Sequence, residues 1–176
     1  MPRTRIVITG APGAGKSTLL DHLRARGMAV EYEVARGILR QPGGMAMRAN
    51  RPRDFAIAML EAEGAAYARA AMNRGPTGFD RGFPDIVGFL RVEGLPVPER
   101  VARACCEKRY SGPIFRAPPW REIYRQDDER IQNWEEAVES DRAVTAAWRL
   151  HGYDPIDLPL STPDERAEFI LAALQR

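Results

Sequence analysis

The chain has 176 residues, enough for one compact domain with its own core and too few for two domains of ordinary size. Its hydrophobic fraction of 44% and charged fraction of 28% are typical of globular proteins, and no apolar run approaches the roughly 20 residues that span a membrane. The net charge of +2 is too balanced to predict a nucleic-acid or membrane-surface partner. We therefore expect a single domain over residues 1–176.

The N-terminus and the cysteines bear on cellular location. MPRTRIVITG carries two arginines but lacks the apolar segment of a secretory signal. Cys105 and Cys106 are adjacent, and neighbouring cysteines rarely have the geometry of a disulfide. Both features favour a cytoplasmic location, whereas the sequence indicates nothing about oligomeric state.

The first elements alternate between strand and helix. RIVIT at 5–9 is β-branched, and after a glycine-rich turn the leucines of 16–26 recur at helical spacing. MAVEYEV at 28–34 alternates as a second strand, and 35–41 predicts a short helix that ends before a proline and two glycines. This order is typical of a βαβα chain.

The rest of the chain continues the alternation. Its pattern predicts, in order, a helix over about 52–72, a third strand ending at Asp80, helices over 86–91 and 98–110, a fourth strand over 112–117, a helix over 128–150, a fifth strand over 152–160, and a last helix capped by Thr162. Together these elements predict an α/β fold of three layers. Its mostly parallel five-stranded sheet should bind ligands at the carboxyl ends of the strands.

The glycine-rich turn carries the strongest functional signal. GAPGAGKS at 10–17 matches G-x-x-x-x-G-K-[ST] in full, between a strand and a helix as that phosphate-binding loop requires. In such a loop backbone N–H groups hold phosphate oxygens, the lysine reaches the β- and γ-phosphates and the serine hydroxyl binds Mg²⁺. We therefore predict nucleotide binding by Gly10, Ala11, Pro12, Gly13, Ala14, Gly15, Lys16, Ser17 and Thr18. ATP is favoured over GTP only by default, because the Asn-Lys-x-Asp motif of GTPases is missing.

FDRGFPD at 79–85 lies at the predicted end of the third strand, where proteins with this loop place an acid that serves Mg²⁺. We predict that Asp80 does so and acts in catalysis, and that Arg81 binds the acceptor or the transferring group. Asp85 either faces the acceptor or is simply a favourable charge at a helix N-terminus.

Arginines also recur from the end of the fourth strand onward, at 116, 121, 125 and 130. We predict a helical lid over about 117–130, on which Arg121 and Arg125 share a face and stabilise the charge of phosphoryl transfer. The alternative is a solvated helix with local pairing, such as Arg125 with Glu129.

EYEVAR at 31–36 ends the predicted second strand, over which an acceptor would lie. Glu33 could accept the proton of the acceptor's hydroxyl group, with Arg36 as a nearby anion or carboxylate partner. The alternative is a charged strand end in which the two simply pair. Which of Glu33 and Asp80 acts as the base stays open at this point.

The segments GAPGAGKST, EYEVAR, FDRGFPD and PPWREIYRQDDER together resemble a family of P-loop ATPases labelled AAA, in which such segments occur in this order. Asp80-Arg81 is similar to the Asp-Arg pair of thymidylate kinases, and EYEVAR is similar to the Glu-Tyr-x-Arg stretch of nicotinamide riboside kinases. These 176 residues have no room for the sensor motifs and helical lid domain of a ring-forming AAA+ motor.

These motifs and the resemblance favour a kinase that binds ATP and Mg²⁺ and transfers the γ-phosphoryl group to a small acceptor, such as a nucleoside or nucleotide. The rival hypothesis is an ATPase that acts as a nucleotide-dependent regulator of a protein partner.

Overall fold

The fold is built around a five-stranded parallel sheet. The computed structural model describes residues 3–125 and 132–175. Within them lie the strands β1 Arg5–Gly10, β2 Ala29–Glu31, β3 Thr77–Asp80, β4 Ile114–Ala117 and β5 Ile156–Asp157, and the helices α1 Lys16–Ala25, α2 Val34–Arg40, α3 Gly44–Asn50, α4 Pro52–Ala70, α5 Phe83–Val92, α6 Glu99–Glu107, α7 Trp134–Leu150 and α8 Pro163–Ala173. The strand order is β2-β3-β1-β4-β5, and each neighbouring pair is parallel. The predicted fold class is confirmed.

The central strand β1 separates two cores. Val7 pairs with Phe79 of β3 and Ile114 of β4, and it lies in a core with α4, α5, α6 and α7. Ile6 and Ile8 lie in the other core, with α1 and α8. Because successive side chains of a strand point to opposite faces, β1 is buried on both sides and the helices form two outer layers.

Two departures from the predicted elements follow from local packing. The second strand ends at Glu31, short of the expected 28–34, because the chain turns to begin α2 at Val34. Gly43 and Gly44 were expected only to follow the end of the second helix, but Gly44 also begins α3. The sequence pattern did not indicate this helix. A Cβ at Gly44 would lie 2.0 Å from the Ile38 carbonyl oxygen, so only glycine allows this close approach.

The third strand forms although its sequence contains glycine, because its backbone pairs with β1 on one side and with β2 on the other. A Cβ at Gly78 would lie 3.2 Å from a methyl group of Leu20 on α1, so the missing side chain lets α1 pack closely on the sheet. The strand ends at Asp80, as expected. None of the helices in the described ranges is long and apolar enough to cross a membrane.

Candidate functional site

The phosphate loop connects β1 to α1 in a conformation that needs its glycines. Gly10 has φ +115°, and a Cβ there would lie 2.2 Å from the Ala117 carbonyl oxygen on β4. Gly15 has φ +81° and directly precedes the first residue of α1. The first turn of α1 has no acidic residue to compete with an anion. The loop therefore presents an open helix N-terminus at the carboxyl end of the central strand.

The predicted nucleotide-binding residues divide into two groups. Gly10, Ala11 and Ala14 are buried. The others line a cavity of about 360 Å³; they are Pro12, Gly13, Gly15, Lys16, Ser17 and Thr18. Lys16 is 5% exposed, and its Nζ donates to the Ala11 carbonyl oxygen at 2.6 Å. Burial, followed by the charge of Arg81, lowers the pKa of Lys16 to about 8, so phosphate oxygens would stabilise its protonated form.

Ser17 and Asp80 lie together, at the start of α1 and the end of β3. Ser17 Oγ donates to Asp80 Oδ2 at 3.2 Å, whereas Oδ1 is buried and has no hydrogen-bond partner among the described residues. Burial, followed by the charge of Glu33, raises the pKa of Asp80 to about 6. A buried carboxylate oxygen without a partner, beside a hydroxyl group, fits the oxygen ligands that Mg²⁺ prefers.

Arg81 bridges the site. Its φ of +72° lies in the left-handed region that an arginine seldom adopts, and the surrounding bonds hold it there. Its Nε donates to Glu33 Oε1 at 3.1 Å, and its Nη1 donates to Asp85 Oδ1 at 3.0 Å and to the Gly10 carbonyl oxygen at 3.1 Å. The strained turn therefore aims a guanidinium between two acids and the phosphate loop.

Asp85 is almost fully engaged by the protein itself. Besides Arg81, its Oδ1 accepts from Thr9 Oγ1 at 2.6 Å, and its Oδ2 accepts from the backbone N–H of Gly82 at 2.9 Å and from Trp148 Nε1 at 3.0 Å. The Gly82 bond is the helix-start geometry that the sequence left as one alternative. Asp85 thus positions Arg81, and a direct contact of Asp85 with an acceptor stays a prediction.

Glu33 and Arg36 meet at the start of α2. Glu33 Oε2 lies 3.5 Å from Arg36 Nε, while its Oε1 accepts from Arg81. Burial acts to raise the pKa of Glu33, but the charges of Arg81, Lys16 and Arg36 outweigh it and hold the pKa below its ordinary value. The carboxylate is therefore ionised and capable of accepting a hydrogen bond from a hydroxyl group. Both predicted roles, a base and a partner of Arg36, are compatible with this geometry.

The lid expected over about 117–130 is described only as far as residue 125. In that part the chain turns at 121–123 and has no α-helix, so Arg121 and Arg125 do not share a helical face there. The Arg121 guanidinium lies 5.0 Å from the ring centre of Trp134, at the start of α7. Arg125 donates to the backbone carbonyls of Glu122 and Tyr124. Arg130 and the expected partner Glu129 lie outside the described residues.

Arg116, the first arginine of the series, lies apart from the lid. It is on β4, where its Nη2 donates to Asp141 Oδ2 at 2.6 Å and its Nη1 donates to Asp157 Oδ1 at 2.9 Å. These two ion pairs connect β4 to α7 and β5. Arg116 is close to Arg121 and Arg125 in the sequence, but the tertiary structure places it with other partners.

The cavity of about 360 Å³ is lined by the phosphate loop and also by Glu33 and Arg81. Its wall further contains a group of apolar side chains, which we call its apolar end, and Arg48 lies over one of their rings, that of Phe89; the group consists of Leu39, Phe55, Met59, Phe89 and Val144. The same wall contains Glu63, which is 3% exposed and which the sequence analysis missed. The available signal was a carboxylate four residues after Met59, on the apolar face of a long helix.

A second cavity, of about 680 Å³, adjoins the other side of the loop at Gly13, Gly15 and Thr18. Its wall includes Trp120 and Leu160 and two polar atoms that are buried without a described partner, Ser161 Oγ and Arg166 Nη2. The Arg166 side chain lies against Trp120, with 4.8 Å between the guanidinium and the ring centre, and its Nη1 donates to the Ala14 carbonyl oxygen at 2.8 Å. No local motif in the sequence indicates this cavity.

A family model described as an AAA domain matches residues 5–166. Among solved structures, deoxyadenosine kinase from M. mycoides with bound dATP has a TM-score of 0.74 at 16% identity, over 98% of this chain and 100% of that chain. NadR protein in complex with NR has a TM-score of 0.72 at 17% identity, over 98% of this chain and 50% of that chain. No curated protein matches the sequence. At these identities the structural likeness shows a nucleoside-kinase-like fold.

Proposed function

The chain belongs to the AAA domain family, and from this membership and the geometry of its site we propose that it is a cytoplasmic kinase. It would transfer the γ-phosphoryl group of ATP to a small acceptor such as a nucleoside or nucleotide. The main support is that one cavity brings together the phosphate loop, Glu33 and Arg81, and a group of apolar side chains. A cavity of about 360 Å³ is within the usual size range of small-molecule sites.

The phosphate loop and Lys16 would bind the triphosphate. Mg²⁺, held by Ser17 and Asp80, would neutralise charge on the β- and γ-phosphate oxygens. Lys16 and Arg81 would then stabilise the charge that develops on the transferring group. Arg121 and Arg125 are proposed to add to this stabilisation, for which Arg121 would have to leave its contact with Trp134.

The acceptor would lie in the apolar end of the cavity, with its hydroxyl group against Glu33. As the acceptor oxygen bonds to the γ-phosphorus and the bond to the ADP oxygen breaks, the hydroxyl proton passes to the Glu33 carboxylate. The ionised state of Glu33 supports this assignment of the base. Arg36 and Arg81 hold the carboxylate in place, so Asp80 is left for the metal. The nucleotide base would occupy the second cavity, against Trp120.

The proposal is tested by measuring ADP formation from ATP with the four common deoxyribonucleosides, their monophosphates and nicotinamide riboside. One acceptor should raise the rate about a hundredfold or more, and Lys16→Ala should remove this turnover by a factor of about 10²–10³. Lys108→Ala is the matched control, because Lys108 is the only other lysine and packs on Phe83. Equal ATP consumption with every acceptor would overturn the kinase proposal and favour the ATPase regulator.

A further inference from the structure

Glu63 is a buried carboxyl group in the wall of the acceptor cavity, among the side chains of its apolar end. It lies on α4, one turn after Met59, and both residues line the cavity with Phe55 and Phe89. Within residues 3–125 and 132–175, no basic side chain forms an ion pair with it. The cavity's Arg81 is instead held by Glu33 and Asp85. An acid in such a place needs either a proton or a ligand.

The hydrogen bonds around Glu63 leave one oxygen available. Tyr110 Oη donates to Glu63 Oε1 at 2.8 Å, and the Phe83 N–H donates to Tyr110 Oη at 3.3 Å. This chain fixes the carboxyl group against the turn that carries Arg81. No described N–H or O–H group donates to Oε2. When the carboxyl group is protonated, Oε2 can carry the hydrogen and donate it to a molecule in the cavity.

The surroundings favour the protonated form. Burial raises the pKa of Glu63 to about 8; the hydrogen bond from Tyr110 opposes this increase, while the neighbouring carboxylates add to it. The ionisable groups that act on Glu63 or lie near this part of α4 include Tyr110 before β4, Asp85 on α5, Glu31 on β2, Asp80 on β3, Arg69 on α4 itself and Lys108 after α6, and Arg48 on α3 lies over the Phe89 ring in the wall of the same cavity. Three of these are acids, and the ammonium group of Lys108 lies over the Phe83 ring.

We propose that Glu63, as a neutral carboxylic acid, is a specificity-determining residue that donates a hydrogen bond from Oε2 to the acceptor molecule. The inference rests on the proposed function, because it assumes that the acceptor occupies this cavity. The bound group would be a planar heterocycle with a ring nitrogen or carbonyl oxygen to accept the bond. Its apolar faces would contact Phe55 and Met59, while a phosphate group would be excluded from this end by the neighbouring acids.

The proposal predicts acceptor binding that depends on pH in a defined direction. We would measure equilibrium binding of deoxyadenosine, deoxyguanosine, deoxycytidine, thymidine and nicotinamide riboside by calorimetry between pH 6 and pH 9.5. With a pKa near 8, affinity for the tightest binder should fall about tenfold from pH 7 to pH 9. Glu63→Gln supplies a permanent N–H donor of similar shape, so its affinity should stay near the low-pH value throughout. Glu61→Gln, on the exposed side of the same helix, should behave as the wild type.

The other possible outcomes test the role of Glu63 separately from the kinase proposal. Loss of binding in Glu63→Gln at pH 7 would show that the ionised carboxylate is the bonding form, and equal pH profiles for the variant and the wild type would show no contact; either overturns the proposal. Binding with the expected pH profile but no phosphorylation would leave this inference standing and refute the kinase. Phosphorylation with pH-independent binding would do the reverse. Absence of binding by all five compounds would overturn the inference.

Discussion

Asp85→Asn removes one negative charge from the buried network around Arg81 while keeping the size of the side chain. The two carboxylate oxygens of Asp85 accept four hydrogen bonds, two at each oxygen. An asparagine has one acceptor oxygen, so in either orientation its NH₂ group faces two of the donors. A buried donor left unpaired costs about 1–3 kcal/mol, and loss of one partner of a buried ion pair costs about 3–5 kcal/mol. We expect the free energy of unfolding to fall by about 3–5 kcal/mol.

Urea unfolding followed by circular dichroism would measure this loss, because fluorescence of Trp148 would itself respond to the missing bond. Asp164→Asn is the matched control: Asp164 also accepts a hydrogen bond from an arginine, Arg26, but it is 64% exposed, so its urea midpoint should hardly move. The variant should also lose phosphoryl transfer, since Arg81 loses a partner that holds its left-handed turn. If Asp85→Asn unfolds at the wild-type midpoint with an unchanged slope, the network does not stabilise the fold as we argue.

Two further predictions concern the loop and the buried acid. Gly10→Ala should abolish nucleotide binding and destabilise the fold, because its Cβ would collide with the Ala117 carbonyl oxygen. The control is Gly27→Ala, which is also at positive φ but has open space around it and should fold. Similar stability of the two variants in thermal unfolding would contradict this prediction. The folded-state pKa of Glu63 is about 8 against an ordinary 4.5, so between these values only the unfolded state ionises and stability falls as pH rises. The difference between the two pKa values corresponds to about 5 kcal/mol. The free energy of unfolding of Glu63→Gln should therefore rise relative to that of the wild type by this amount between pH 4.5 and pH 8.5. If urea titrations give the same pH dependence of stability for both proteins, the prediction is wrong.

Most of the elements could be predicted because their signals are local. The phosphate loop, the alternation of strands and helices, and the cap of α8 at Thr162 all depend on a few consecutive residues. The predicted boundaries failed where packing decides them. The second strand stops at Glu31 because α2 begins at Val34, and α3 forms because Gly44 can approach the end of α2.

The site was partly predictable for a topological reason. Asp80, Glu33 and the phosphate loop follow the carboxyl ends of neighbouring parallel strands, so strand order alone brings them together. The lid depended on an expected helix, and its described part is a turn in contact with Trp134. Arg116 was grouped in one series with the arginines of the expected lid, but its two acidic partners come from α7 and β5, which no local pattern relates to it.

The sequence by itself determined that this protein has a phosphate loop on a parallel sheet, because eight consecutive residues set both the backbone conformation and the chemistry of that loop. Only the tertiary structure decided what surrounds it. Trp148 reaches Asp85 across 63 residues, and Tyr110 reaches Glu63 across 47. Those bonds depend on how helices pack on the sheet, so the protonation state of Glu63 and the direction of Arg81 follow from burial and from distant partners, which spacing along the chain does not encode.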